Sequence, residues 1–187
     1  MIDFLYFFVG AGLVLAAVLL RRFTAAFSAQ SPTDYTEDYR ILDMKKDLDG
    51  DMICEGVIFG PLGRVTSTFV ADFHISWDGD SVQIDEHFVY GDSTTQDRVW
   101  MIKLGPDGTF TATAPDVPGI AKGRQSGGTI SMRYPIKLPA DVGGHTLQTV
   151  DWIYITPNGT LINRSQFRKF GFKVAELAAT IRKKDAA

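Results

Sequence analysis

Cysteine is nearly absent from this chain. Cys54 is the single thiol in 187 residues, so no internal disulfide is available and cysteine usage does not report the compartment. In a strand-length run it reads as a small core hydrophobe. Basic charge is also scarce. Nineteen Lys and Arg against 22 Asp and Glu leave a net charge of −3, which removes the electrostatic case for nucleic acid. His74, His87 and His145 fall on separate predicted strands, whereas a zinc centre needs three or four ligands brought together. Neither a metal nor a cofactor is expected. No Gly-x-Ser-x-Gly elbow occurs. Gly123-Arg-Gln-Ser-Gly-Gly128 lacks the Gly-Lys-Ser/Thr ending and the strand-to-helix setting of a phosphate loop. Asp47-Leu-Asp-Gly-Asp51 carries its glycine early and has Ile58 where a calcium loop needs Glu. With no recognisable catalytic motif, the reading leans away from an enzyme.

Long apolar runs are absent after Leu20 and conspicuous before it. Phe4 to Leu20 holds no charged or strongly polar side chain, and its length is at the short end of what spans a hydrocarbon core of ~30 Å. Asp3 is the only charged side chain ahead of it, where a cleaved signal peptide carries positive charge. Residues 1–22 are therefore read as a transmembrane anchor. Arg21 and Arg22 follow the run, and the preference of Arg and Lys for the cytoplasmic side puts the body there, the periplasmic face being the alternative. Residues 23–50 read as a polar stalk with one short helical turn, N-capped by Asp43.

From residue 51 to 187 the chain is a series of short alternating segments. Period-two patterning predicts ten strands: 52–59, 64–77, 81–90, 97–104, 109–114, 119–125, 129–138, 145–156, 160–167 and 172–182. Gly60-Pro-Leu-Gly63, Asp78-Gly-Asp80, Pro106-Asp-Gly108, Gly127-Gly128 and Pro157-Asn-Gly159 are hairpin signals between them. Sequential strands joined by tight turns form an antiparallel up-and-down meander. Closure into a barrel of about eight to ten strands removes its exposed edges.

Alternation also sorts the faces. Phe69, Phe73, Trp77, Phe88, Trp100 and Tyr134 share the inward side with the polar exceptions Glu86 and Arg98. With the intervening turn centred near Ser93, Phe88 lies opposite Arg98, and Glu86 is its diagonal neighbour. An inward carboxylate needs a partner, because an unpaired buried charge is costly. The pair reads as a structural closure of one barrel end, as the polar anchor of a ligand in an apolar pocket, or as an acid/base group. Asp151, Trp152, Asn163 and Arg164 form a second polar set on the hairpin through Asn158, either a rim pairing or part of the same site.

Asp85-Glu-His-Phe-Val-Tyr90, Arg98-Val-Trp100, Ala114-Pro-Asp-Val, Gly123-Arg-Gln-Ser-Gly127, Asp151-Trp152 and Asn163-Arg-Ser-Gln-Phe-Arg-Lys-Phe-Gly171 together resemble the DUF3833 family, from about Asp43 to Arg182. The resemblance implies a bacterial source and a lipocalin-like barrel. It implies no established activity, and so transfers no catalytic residues. Many relatives look like lipoproteins with a lipid-modified cysteine after a signal sequence; here no such cysteine follows the apolar run, Cys54 lying far downstream, and a helix takes its place. Genes of such proteins often neighbour genes that modify membrane fatty acids.

The expectation is a single-pass bacterial inner-membrane protein whose lipocalin-like barrel binds a fatty acyl or other apolar lipid-derived ligand. The ligand would lie among Glu86, Phe88, Arg98, Trp100, Tyr134, Asp151, Trp152, Asn163 and Arg164. The alternatives are an enzyme or accessory factor in the modification of unsaturated membrane fatty acids, and a structural or assembly protein whose barrel is filled by its own side chains. No protein partner is identified.

Overall fold

The computed structural model describes residues 2–36 and 40–184. The first element is a helix, α1 (Ile2–Thr24). Its window Phe4–Arg21 has mean hydropathy 2.2, with none of it buried against the rest of the chain. By length and composition it suits either a membrane anchor or a signal sequence.

Ten strands follow: β1 (Gly50–Phe59), β2 (Val65–Asp78), β3 (Ser81–Tyr90), β4 (Thr95–Leu104), β5 (Thr109–Thr113), β6 (Ala121–Ser126), β7 (Thr129–Lys137), β8 (Thr146–Ile155), β9 (Leu161–Lys169) and β10 (Phe172–Lys183). Each pairs antiparallel with the next in sequence, and β1 pairs with β10 from Met52↔Lys183 to Phe59↔Glu176. The result is a closed lipocalin-like barrel with no free sheet edge. The last segment, with the run Ala175-Glu-Leu-Ala-Ala179, is a strand despite the helical propensity of those residues. Its pairing partners on both sides decide the matter, since tertiary context overrides propensity.

One end of the barrel is shut. A single helical turn, α2 (Met44–Asp47), is N-capped by Asp43, whose carboxylate accepts from the Lys45 amide. It carries Leu42, Met44 and Leu48 into the core, each almost fully buried. Trp77 Nε1 donates to the Leu48 carbonyl at 2.7 Å, and the Leu42 amide donates to the Gly127 carbonyl at 3.0 Å. Burying such side chains is worth about 1.5–3 kcal/mol each, enough to hold a four-residue helix that propensity alone would not.

The segment read as a stalk is docked rather than free. Tyr35 packs its ring 5.4 Å from Trp152 and 5.8 Å from Tyr154. Tyr154 Oη donates to Gln30 at 2.7 Å, Arg133 donates to the Ser28 carbonyl at 2.7 Å, and the Arg164 guanidinium lies 4.5 Å from the Phe27 ring. These aromatic and cation–π contacts strap the linker to the outside of β7–β9.

The β3–β4 hairpin turns about Asp92, one residue earlier than the sequence suggests. Ser93 takes a left-handed φ of 68°, and the Tyr90 amide closes on the Thr94 carbonyl at 2.9 Å. Glu86 therefore faces Arg98 directly, and Phe88 faces Gln96. The two-residue change in pairing keeps every side chain on its expected face, because the strand period is two.

Across β5 and β6, Phe110 pairs with Gly123 and lies where a side chain would be: a Cβ on Gly123 would meet the ring at 2.0 Å. Gly123→Ala should cost about 2 kcal/mol through this overpacking, read as a lower urea midpoint with unchanged m-value.

Candidate functional site

Inside the barrel lies an apolar cavity of about 160 Å³. Phe73 and Ile84, Trp100, Met132 and Ile153 reach it from five strands. Phe88 continues it toward the open end, edge-on to Phe69 at 5.4 Å and stacked with Tyr90 at 6.1 Å. Period-two alternation puts these side chains on one face of each strand, and curvature brings the faces together.

A polar cluster interrupts the apolar wall. Arg98 does not pair with Glu86. It turns to Asp116 on the β5–β6 loop, with Nε 3.1 Å and Nη2 3.0 Å from the same carboxylate oxygen. The guanidinium also lies 4.3 Å from the Trp100 ring. Val117, next to Asp116, is buried in the core, so this loop folds inward over the rim. Glu86 is left with Oε2 buried and without a hydrogen-bond partner. Burial pushes its carboxyl up to about 7; Arg98 pulls it back, while Asp116 and Asp151 push it further up. Thr149 Oγ1 on the same inner surface is also buried without a partner.

Asp151 is better provided for. Asn163 Nδ2 and Ser165 Oγ both donate to its Oδ1 at 2.7 Å, and Tyr134 Oη stands 3.5 Å from its Oδ2. Burial raises its pKa and these donors oppose the rise. The Tyr134 phenol is held well above its usual range, first by burial and then by Asp151, and so stays protonated. Cys54, also facing the cavity, is pushed up to about 12 by burial and then by Glu86, which makes it a poor nucleophile.

The structure brings Glu86, Phe88, Arg98, Trp100, Tyr134, Asp151 and Asn163 to the one cavity. Trp152 and Arg164 do not belong to it. They are sequence neighbours of Asp151 and Asn163, so they point to the opposite face; Trp152 is buried beneath Tyr35, and Arg164 bonds Glu176 and covers Phe27. Sequence reasoning missed Ser165, Thr149 and Asp116. The first two follow from alternation with Asn163 and Asp151. Asp116 sits in a loop, where no periodicity points to its partner. Outside the barrel, His74 and His87 each bond one carboxylate, Asp51 at 2.7 Å and Asp97 at 2.6 Å.

The apolar cavity thus carries one unsatisfied acceptor, Glu86, beside the Arg98 guanidinium, which bonds Asp116 through Nε while its Nη2 is also buried without a hydrogen-bond partner. The S-type phycobiliprotein lyase CPES from Guillardia theta has a similar fold, with TM-score 0.56 at 9% identity over 76% of this chain and 91% of that one. No curated protein matches the sequence. The family model described as "Protein of unknown function (DUF3833)" matches residues 22–183, taking in the docked linker as well as the barrel, and the chain belongs to that family.

Proposed function

We propose that the barrel binds a fatty acyl or other apolar lipid-derived ligand. α1 would hold it at a bacterial inner membrane, and Arg21 and Arg22 favour the cytoplasmic side for the body. The observation that carries this reading is the buried, unpartnered Glu86 Oε2 in an otherwise apolar cavity. An orphaned buried acceptor is costly, and a ligand hydroxyl or N–H would satisfy it. Arg98 bonds Asp116 through Nε, while its Nη2 is also buried without a hydrogen-bond partner, and Asp151 faces the same space as Glu86. With one guanidinium set against Glu86, Asp116 and Asp151, a further free carboxylate is a poor fit, and an amide- or hydroxyl-ended chain, which can accept from Arg98 Nη2 while donating to Glu86, a good one.

The test is native mass spectrometry of the full chain from its host membrane, then titration with a fatty alcohol, amide and acid of equal length. One-to-one binding, with the acid at least tenfold weaker, is expected. Ile153→Phe, which fills the cavity, should abolish binding while the fold is kept. An empty barrel unresponsive to all three ligands rejects the proposal.

One observation favours a second reading. At about 160 Å³ the cavity is smaller than the ~300 Å³ at which ordinary small-molecule pockets begin, as in a barrel filled by its own side chains. In that case Ile153→Phe raises stability and no ligand is found.

A further inference from the structure

The rim opposite α2 carries large apolar side chains in water. Leu62 at the β1–β2 tip is 81% exposed, and Phe170 and Phe172 at the β9–β10 tip are 90% and 75% exposed. The two tips are neighbours: β1 and β10 are paired up to Phe59↔Glu176, so both hairpins project beyond the same end. Arg64 follows Leu62 after one glycine, and Lys169 lies with Nζ 5.6 Å from the Phe170 ring.

Phe170 is in the wrong place for a structural residue. Lys169 pairs with Phe172, leaving Phe170 and Gly171 as a two-residue turn with φ of 51° and 81°. Such a turn calls for Asn, Asp or Gly at its first position. A bulky side chain at positive φ is an outlier, and this one buries nothing inside the fold to offset the strain. Strain of this kind points to a role outside the domain.

The linker indicates what lies there. Read toward the N-terminus, it starts at the closed end, where Leu42 bonds Gly127 and Arg40 bonds the Pro157 carbonyl. It then climbs past Tyr154 to Arg133 and Arg164 at mid-wall, and the chain leads from there into the apolar α1. We infer that the Leu62 and Phe170–Phe172 tips dock on a lipid bilayer, aromatic and aliphatic side chains entering the headgroup boundary and Arg64 and Lys169 meeting anionic headgroups. The barrel mouth then opens at the lipid surface. This rests on the reading of α1 as a membrane anchor but not on the ligand; flotation of the chain with the liposomes reports the anchor separately from the label on the rim.

The experiment uses the full chain in liposomes of phosphatidylcholine with and without phosphatidylglycerol. An environment-sensitive NBD label is placed through Phe172→Cys or, at the closed-end hairpin, Asp78→Cys; Cys54 is buried and escapes labelling. At 172 the emission should shift to the blue and be quenched by nitroxide-bearing lipid at least threefold more than at 78, more so with phosphatidylglycerol. Adding Phe170→Asn and Leu62→Ser should cut that quenching by half or more. Phe170→Asn alone should leave the melting temperature unchanged or higher, since Asn suits the turn. Equal, water-like emission at 172 and 78 overturns the inference. So does a blue shift without lipid quenching, which would mean a second copy of the chain covers the patch.

Discussion

Glu86→Gln should raise the melting temperature at pH 8 and leave it unchanged at pH 4. The Glu86 carboxyl is pushed from 4.5 up to about 7 in the fold, so the folded chain holds a proton that the unfolded chain releases between those values. Stability is then full below the unfolded pKa and falls as pH rises through the folded one. A shift of this size corresponds to about 3 kcal/mol once pH exceeds the folded pKa. At ~2–4 °C per kcal/mol for a chain of this size, the variant gains roughly 6–12 °C at pH 8. Thermal unfolding by circular dichroism in detergent from pH 4 to 8 checks it. Parallel profiles for the two proteins would mean that Glu86 finds a partner or water in solution.

Asp116→Ala should be the most damaging single change on the loop. It strips Arg98, whose side chain is 14% exposed, of its only ion-pair carboxylate among the described residues. Breaking a buried pair from one side costs about 3–5 kcal/mol, because the remaining charge stays buried. Arg98→Met in the same chain should recover much of the loss, since a long apolar side chain still packs on Trp100. Urea unfolding of the two single variants and the double variant gives the coupling directly. Strictly additive losses would show that Arg98 and Asp116 do not depend on each other.

The contrast between these two acids shows what can be read from a sequence of this kind. Glu86 was legible because it breaks an alternating apolar pattern on β3, and a period of two needs no knowledge of neighbours. The ten strands and the closed barrel follow from the same pattern and from the glycine turns. The exact register did not: it hangs on Ser93 adopting a left-handed conformation, which local preference does not dictate. Asp116 escaped because its partner is reached through an irregular loop. The linker escaped for a related reason: Phe27 and Tyr35 sit in a polar stretch without periodicity, and only the assembled outer wall of β7–β9 gives them something to cover. Trp152 and Arg164 part from Asp151 and Asn163 because adjacency in a strand means opposite faces.

The seam between β1 and β10 sets a condition on biogenesis. Met52 and Lys183 are partners, so the cylinder cannot seal until the strand that ends at Lys183 has left the ribosome. At the usual ~5–20 residues per second, the N-terminal helix would have been free to engage its targeting machinery for several seconds while the first strands wait with one side unzipped. A nascent chain arrested before Phe172 would display two unsatisfied strand borders, a form that invites aggregation.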